Sequence, residues 1–437
     1  MPLATRRIPI GPSVTGMKII HVSPMYAPAL GGAEHHLKAI SEGLVSRGHD
    51  VTVLTANVGF HEDLWPGRCG HLPAQEVMNG VKVIRFLPDG GWPGSALKTW
   101  LRLRGGYRSL RFIFGEDGLE FLARRPFLAQ LLPYLLRARA DIVASMNWYW
   151  QPAYHAYLAR KLKRFTLVGI PLFHTADAWC GRDVYRRMLA ACDAVVVNTS
   201  YEADFVRERA AAPVAVTGVG VDPKSFESRS GSQMRGRYGL GDQPVVGFVG
   251  RQAANKGAAK LVQAMSAVWK WNPEVRLVLA GPRANRDKEM EAVLGGLTQF
   301  ERERIVRVDD FPAADKASIF DSFDVFVLPS TSESFGIAYL EAWLCRKPVI
   351  GAGIGPTRCV IDEGVDGLLV NPDDSQDIAR ATIELLSDAN RRRRMGNSGY
   401  AKTVSEFTWD KVVDKIEKLY VDLSLDKRRC GQAFAKA

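Results

Sequence analysis

Residues 324–341 read DVFVLPSTSESFGIAYLE, a short apolar run, a polar loop and a run with helical spacing. DVFVLP is rich in β-branched and aromatic residues, and Gly336 directly precedes the helical run. Glu333 and Glu341 place two carboxylates in this segment with seven residues between them. A strand that passes through a short loop into a helix is the repeating unit of a parallel α/β sheet.

Similar apolar runs occur on both sides of this segment, and they form two series. Each run is nearly continuous in apolar residues, as expected for strands that are buried on both faces of a sheet. The first series is KIIHV (18–22), DVTVLT (50–55), VKVIRF (81–86), DIVAS (141–145), TLVGI (166–170) and AVVVN (194–198). The second is VVGFVG (245–250), VRLVLAG (275–281), RIVRV (304–308), DVFVLP (324–329), PVIGA (348–352) and GLLV (367–370).

The break between the two series, near residues 219–226, predicts two domains. We expect an α/β fold of two doubly wound Rossmann-like domains that face each other across a cleft. The predicted boundaries are a flexible N-terminal extension over 1–16, a first domain over 17–222, a second over 223–404 and a C-terminal helix within 405–437. One apolar stripe of that helix contains Trp409, Val412, Val413, Ile416 and Tyr420.

The composition is that of a globular protein with a basic charge. The 437 residues are 46% hydrophobic and 24% charged, with 58 Lys and Arg against 47 Asp and Glu. A net charge of +11 favours an anionic partner such as nucleic acid, acidic lipid or a phosphorylated substrate. The cysteines are far apart without a CxxC pair, which predicts reduced thiols: Cys69, Cys180, Cys192, Cys345, Cys359 and Cys430. We expect neither a membrane-spanning helix nor a secretory signal.

The loop at 330–336 has two interpretations. Ser330 and Glu333 fit a capping box, which would make the loop purely structural. Alternatively, the loop lies at the carboxyl end of a parallel strand, where such sheets bind ligands. The amides of Phe335, Gly336 and Ile337 would then hold an anion at the helix start, while Glu333 would accept hydrogen bonds from sugar hydroxyls and Glu341 would bind a vicinal diol.

Three further loops carry groups suited to a phosphorylated ligand. GRQAANKG (250–257) supplies Arg251 and Lys256, two cations that suit a leaving diphosphate, although a solvated loop explains them equally. Gly31 and Gly32 would let the backbone approach a phosphate, or would form a plain turn. His174 in PLFHTAD (171–177) is either a catalytic group or an ordinary loop histidine.

Together these motifs resemble the retaining glycosyltransferases of family 4. The resemblance runs from about Met17 to Tyr420 and includes LAGP (279–282), EGVDGLLV (363–370) and FTWDKV (407–412). It implies the GT-B fold, with the C-terminal helix crossing back to the first domain. It also implies a catalytic set of His174, Arg251, Lys256 and Glu333, and a donor-binding set of Gly31, Gly32, Gly250, Arg251, Lys256, Gly281, Ser334, Phe335, Gly336, Ile337 and Glu341.

Within that resemblance, Arg251 and Lys256 would bind the diphosphate of the donor, Glu333 the transferred sugar and Glu341 the ribose. His174 would lie beside the donor sugar. One departure concerns GIGPTRCVID (353–362), where family members usually carry a proline followed by a glutamate and this chain has Thr357 and Arg358. Donor contacts in that loop are therefore not inferred from the resemblance.

The implied reaction is the transfer of a sugar from a nucleotide-diphosphate donor to an acceptor hydroxyl, with no cofactor. Because no Asp-x-Asp pair occurs in the chain, we expect no metal. An oxidoreductase would need a G-x-G-x-x-G loop directly after a strand, and a nucleic-acid-binding protein would need a recognisable module; neither is found. A GT-B-fold nucleotide-sugar epimerase is the alternative that is harder to exclude.

The basic charge concentrates in residues 96–139, where nine Lys and Arg alternate with apolar side chains. Such a segment binds anionic bilayers or forms ordinary core helices with solvated arginines. The first possibility predicts a lipid-linked saccharide acceptor, polysaccharide or glycolipid synthesis, and a cytoplasmic location at the inner face of the cell membrane. A soluble glycosyltransferase with a small-molecule acceptor is the alternative.

Overall fold

Two largely parallel β-sheets form the framework of the computed structural model, which describes residues 16–29, 31–64, 71–88, 126–175, 177–283 and 288–435. The first sheet has eight strands in the order β3-β4-β2-β1-β5-β6-β7-β8. All neighbouring strands are parallel except β3 and β4. The strands are β1 Lys18–Val22, β2 Asp50–Ala56, β3 Gln75–Met78, β4 Val81–Phe86, β5 Ile142–Met146, β6 Thr166–Ile170, β7 Ala194–Val197 and β8 Val214–Val216.

The second sheet has six parallel strands in the order β11-β10-β9-β12-β13-β14. They are β9 Val245–Val249, β10 Arg276–Ala280, β11 Ile305–Val308, β12 Val325–Leu328, β13 Val349–Ala352 and β14 Gly367–Val370. Every apolar run that the sequence predicts as a strand is a strand, and the α/β fold class is confirmed. Strands β3 and β8 were not predicted from the sequence.

Helices cover both sheets. Those before β9 are α1 Gly32–Ser46, α2 Leu131–Arg137, α3 Gln151–Leu162, α4 Asp183–Ala190, α5 Ser200–Arg207 and α6 Gly231–Arg237. Those after it are α7 Ala258–Trp271, α8 Lys288–Gly296, α9 Gln299–Arg302, α10 Lys316–Asp321, α11 Ile337–Leu344, α12 Gly355–Arg358, α13 Ser375–Ser387, α14 Ala389–Glu406 and α15 Trp409–Ala435. All five residues of each of β5, β6 and β9 are buried, because helices pack on both faces.

The C-terminal helix α15 packs against α1 of the first domain, as the sequence predicts. Val413 and Ile416 on its predicted stripe are almost fully buried. Gly43 of α1 makes the close approach possible, since a Cβ there would lie 2.7 Å from Val413 Cγ2. The hydroxyl of Tyr420 lies 3.4 Å from Nε2 of His21 on β1.

The chain leaves the first domain near Val221 and returns to it near Phe407, and these two segments lie side by side. The Val221 amide donates to the Phe407 carbonyl at 2.8 Å, and the Trp409 amide donates to the Val221 carbonyl at 3.2 Å. The outgoing and returning segments are therefore hydrogen-bonded to each other.

The basic segment 96–139 lies partly outside the described residues, which resume at Pro126. In the described part, Leu128 and the α2 residues Leu131 and Leu135 are buried in the core of the first domain. These leucines therefore do not form an exposed apolar surface. None of the helices in the described part of the chain has the length and apolar composition of a membrane span.

Candidate active site

A cleft of about 530 Å³ lies between the two domains, at the carboxyl ends of strands from both sheets. This is where open parallel sheets bind ligands. The two walls come close where α1 and α11 begin, since a Cβ on Gly32 would lie 3.8 Å from Ile337 Cδ1. The predicted site residues that line the cleft are Gly32, His174, Gly250, Arg251, Lys256, Glu333, Ser334, Phe335, Gly336 and Ile337.

The second-domain wall brings Lys256 and Glu333 into direct contact. Nζ of Lys256 donates to Oε1 of Glu333 at 2.5 Å, and both side chains are largely buried. The supporting loops are also bonded, because the Thr331 amide donates to the Asn255 carbonyl at 3.0 Å. Arg251 is exposed on the same wall, and among the described residues it has no acidic partner.

Gly257 permits this approach of the two loops. Its φ of +73° lies in the left-handed region, which favours glycine. A Cβ at this position would lie 2.2 Å from the Pro329 carbonyl oxygen. A side chain would therefore push apart the loops that carry Lys256 and Glu333.

The loop before α11 is not a capping box. The Ser330 hydroxyl donates to the Asn255 carbonyl at 2.8 Å, and Glu333 is paired with Lys256 instead. Gly336 occupies the N-cap with a φ of +90°, and no side chain caps the helix. Because the first amides of a helix have no intrahelical partner, the start of α11 can receive an anion.

Glu341 lies further along α11 and does not line the cleft. It accepts a hydrogen bond from Nζ of Lys316 on α10. Burial raises the pKa of Glu341, and the charge of Lys316 offsets part of that increase.

His174 projects from the first domain toward the loop of the second. Its Nδ1 lies 3.2 Å from the Ser332 hydroxyl. The turn behind it is fixed by the Asp177 amide and the Cys180 thiol, which donate to the His174 carbonyl at 2.8 Å and 3.3 Å. His174 is thus exposed in the cleft while its backbone is held in place.

Two of the predicted glycines adjoin the site without lining the cleft. Gly281 has a φ of +122°, and a Cβ on it would lie 2.3 Å from the carbonyl oxygen of Gly250. Gly31 is the N-cap of α1, where a Cβ would lie 2.1 Å from Oε2 of Glu34. Neither residue lines the cleft.

Most of the first-domain wall was not predicted from the sequence. Asn147 after β5 and Leu172 after β6 line the cleft with φ of +56° and +54°. Such backbone conformations cost about 1–3 kcal/mol in residues other than glycine and often occur at functional sites. Other aromatic and polar side chains on this wall are His36, Tyr149, Trp150, Phe173, Asp177, Trp179, Tyr185 and Asn198.

Glu202 lies behind this wall and is 1% exposed. Its Oε2 accepts hydrogen bonds from the amides of Asn198 and Thr199, at 2.7 Å and 3.2 Å. Burial raises the pKa of Glu202 to about 7, although these amide bonds and one from Phe173 lower it in part. Glu202 therefore ties the end of β7 to the loop that carries His174.

The structure also shows where Thr357 and Arg358 lie, the two residues at which this chain differs from the usual family pattern. Thr357 is fully buried in α12, the short helix that follows β13, and Arg358 Nε donates to the Gly353 carbonyl at 2.8 Å. Neither lines the cleft. The described residues contain no group of three or more His, Cys, Asp and Glu side chains that could hold a metal ion.

Comparison with known families agrees with this geometry. Residues 30–225 match Glycosyltransferase Family 4, and residues 243–388 match the family Glycosyl transferases group 1. The chain belongs to the family 4, group 1 glycosyltransferases. It is 28% identical over 435 residues to a D-inositol 3-phosphate glycosyltransferase of Stackebrandtia nassauensis, with 94% of this chain and 92% of the relative covered.

Solved glycosyltransferase structures share the fold. A sucrose-phosphate synthase of Thermosynechococcus elongatus superposes with a TM-score of 0.70 at 20% identity, covering 93% of this chain and 99% of that one. HepE of Anabaena, in complex with UDP-glucose, superposes with a TM-score of 0.69 at 18% identity, covering 93% and 100%. The prediction of a GT-B glycosyltransferase is confirmed.

Proposed function

We propose that this glycosyltransferase moves a hexosyl group, with retention of configuration, from a nucleoside-diphosphate sugar to an acceptor hydroxyl in the cleft. The observation that carries the proposal is the contact of Lys256 with Glu333 at the cleft wall, next to the start of α11. This arrangement combines a cation and helix amides for a diphosphate with a carboxylate for sugar hydroxyls. UDP-glucose in the structurally similar HepE supports a nucleotide-sugar donor.

In the proposed reaction, the bond between the anomeric carbon and the β-phosphate oxygen breaks as negative charge grows on the leaving diphosphate. Lys256, Arg251 and the amides at Phe335 to Ile337 stabilise that charge. The acceptor oxygen bonds to the anomeric carbon on the face that the diphosphate leaves, and its proton passes to a phosphate oxygen. Glu333 and His174 bind the sugar during the transfer.

We propose a small phosphorylated polyol or sugar as the first candidate acceptor. The relative named above acts on D-inositol 3-phosphate according to its name. On the first-domain wall, Trp179 lines the cleft, and the guanidinium of Arg182 lies over its ring, 3.4 Å from the ring centre. An aromatic wall with a nearby cation suits a polyol that carries a phosphate.

A lipid-linked saccharide is the second candidate acceptor, carried by the basic and apolar pattern of residues 96–139. It would place the enzyme at the inner face of a membrane and in polysaccharide or glycolipid synthesis. The test is sedimentation of the protein with anionic and with neutral vesicles at low salt. Equal sedimentation with both would overturn this candidate.

The donor site is tested by thermal unfolding with UDP, GDP, ADP and TDP. We compare the wild type with Lys256→Ala and with Lys260→Ala, because Lys260 forms a separate ion pair with Glu289 at 3.6 Å in the same domain. A nucleotide at about 100 times its dissociation constant adds about 2.7 kcal/mol of stability, a shift of several degrees. We expect that shift in the wild type and in Lys260→Ala, and its loss in Lys256→Ala. No shift with any nucleotide would overturn the proposed donor site.

A further inference from the structure

We propose that Asn198 is a specificity-determining residue, whose side-chain carbonyl accepts a hydrogen bond from one hydroxyl of the transferred hexosyl group. This inference rests on the proposed function, which supplies the sugar. It assigns a role to a residue of the first-domain wall that is in neither the catalytic set nor the donor-binding set implied by the family resemblance.

The side chain of Asn198 combines burial, a place in the cleft wall and an unpaired oxygen. The residue is 4% exposed and lines the cleft. Its Oδ1 has no hydrogen-bond partner in the described part of the chain. A buried polar atom without a partner costs free energy, so its presence in a folded protein calls for a partner such as a ligand, water or ion. The four residues of β7 that precede Asn198 are buried and apolar, so the amide interrupts an otherwise apolar strand end.

The backbone around Asn198 is held in place by Glu202. Oε2 of Glu202 accepts a hydrogen bond from the backbone amide of Asn198 at 2.7 Å. Thr199, the N-cap of α5, accepts in turn from the backbone amide of Glu202 at 3.2 Å. Glu202 also accepts from the backbone amide of Phe173, which directly precedes His174. Because these bonds fix the backbone in advance, a ligand that meets Asn198 has little ordering to impose on it.

The position of Asn198 in the sheet favours the sugar over the diphosphate as its ligand. Strands β6 and β7 are parallel neighbours, so Asn198 after β7 and His174 after β6 lie at the same edge of the sheet. Nδ1 of His174 lies 3.2 Å from the hydroxyl of Ser332, in the second-domain loop that carries Glu333. By contrast, β5 and β6 separate β7 from β1, where α1 meets the anion-binding start of α11.

The chemistry of the asparagine amide makes it a reader of hydroxyl groups. Its carbonyl oxygen accepts from an O–H group, and the side chain carries no charge that would attract a phosphate. A sugar that lacks the matching hydroxyl would leave this buried oxygen unpaired, and sites of this kind discriminate strongly against such analogues. Asn198 would thus select hexoses that carry a hydroxyl at one particular carbon.

The experiment is calorimetric titration with the nucleoside diphosphate that binds best among UDP, GDP, ADP and TDP, and with its glucose, mannose and N-acetylglucosamine esters. The proteins are the wild type, Asn198→Leu and Asn397→Leu. Leucine has the same branching as asparagine without the amide. We expect Asn198→Leu to bind the preferred sugar ester about tenfold more weakly than the wild type, and the free diphosphate equally well.

The control variant and the deoxy analogues sharpen this result. Asn397 lies on α14 outside the cleft, where its Oδ1 accepts from Arg346 at 2.8 Å, so Asn397→Leu should bind both ligands as the wild type does. Among the monodeoxy analogues of the preferred ester, the wild type should bind one about tenfold more weakly than the parent. Asn198→Leu should bind that analogue and the parent equally.

Three outcomes would overturn the inference alone. The first is wild-type affinity of Asn198→Leu for the sugar ester. The second is an equal loss of affinity for the ester and the free diphosphate, which would indicate a structural role. The third is the same loss in the wild type and the variant for every deoxy analogue. If Asn198→Leu does not fold, Asn198→Ala carries the same expectations. If the wild type binds none of the nucleoside diphosphates, the proposed function itself fails, before any variant is compared.

Discussion

The two walls of the cleft are assembled in different ways. The second-domain wall consists largely of two loops, residues 250–257 and 330–336, which are hydrogen-bonded to each other through Asn255. The first-domain wall draws its side chains from the ends of several strands, including Asn147 after β5, His174 after β6 and Asn198 after β7. The second-domain wall therefore comes mainly from two loops, and the first-domain wall is distributed over the ends of several strands.

The two walls should also differ in their sensitivity to mutation. In the compact wall, a single change in either loop disturbs the Lys256–Glu333 pair or the backbone contact that supports it. In the distributed wall, each side chain contributes separately, and buried groups such as Glu202 hold the strand ends in register. Large effects should therefore concentrate in the second-domain wall, apart from the buried support of the first.

The largest expected effect is on turnover, from Glu333→Gln. The amide removes the charge that faces Lys256 and that, in the proposed site, would face the sugar. We therefore expect kcat to fall by about 10²-fold while nucleoside-diphosphate affinity changes little. The measurement is the steady-state rate with the active donor. Glu289→Gln, which alters the unrelated pair with Lys260, is the control. A fall of less than about threefold would show that the charge of Glu333 is dispensable.

The second prediction concerns the pH dependence of stability through Glu202. Because its pKa is raised by burial to about 7, Glu202 contributes stability that is complete below its unfolded pKa and is lost as the pH rises through about 7. The free energy of unfolding of the wild type should therefore fall by about 3 kcal/mol, relative to Glu202→Gln, between about pH 4.5 and about pH 8.5.

Chemical denaturation across that pH range measures this difference. Glu208→Gln is the control, because Glu208 is exposed on the helix end next to Arg209. Parallel pH profiles of the wild type and Glu202→Gln would contradict the prediction.

The third prediction compares two glycines with positive φ. Gly257→Ala meets both an unfavourable backbone conformation and the Pro329 carbonyl, so it should lower the free energy of unfolding by more than about 2 kcal/mol. Gly241 has a φ of +54°, and a Cβ on it would have open space for 4 Å around it, so Gly241→Ala should cost only about 1 kcal/mol. Denaturation of both variants measures the difference, and equal losses would show that the two loops can separate freely.

The smallest expected effect is on the distributed wall, from Tyr149→Ala. Tyr149 lines the cleft and is 50% exposed, so its removal should raise the acceptor KM about fivefold and leave the donor KM unchanged. Phe300→Ala is the control, because Phe300 is 45% exposed on α9 of the second domain and lies outside the cleft. An increase in the donor KM instead would show that this wall also contacts the donor.

Some of the elements that were not predicted have a recognisable sequence signal, and others have none. The hairpin of β3 and β4 turns at Asn79 and Gly80, with φ of +48° and +83°. An Asn-Gly pair between strands is a strong hairpin signal, so this element could have been predicted. By contrast, β8 has three residues, which is too short for a pattern to emerge. Asn147 and Asn198 could have been proposed because each follows or ends a predicted strand.

Twelve of the fourteen strands, the C-terminal helix and the second-domain loops could be predicted from the amino-acid sequence alone. Continuous apolar runs, an amphipathic stripe and short glycine-containing loops are local patterns. They can be recognised in a short segment of sequence without knowing which other segments pack against it. The folded chain was needed to show that Lys316 pairs with Glu341, that Glu202 holds the end of β7, and that Asn147, His174 and Asn198 share one wall. These contacts depend on which strands and helices become neighbours, and that order is set by packing of the whole chain.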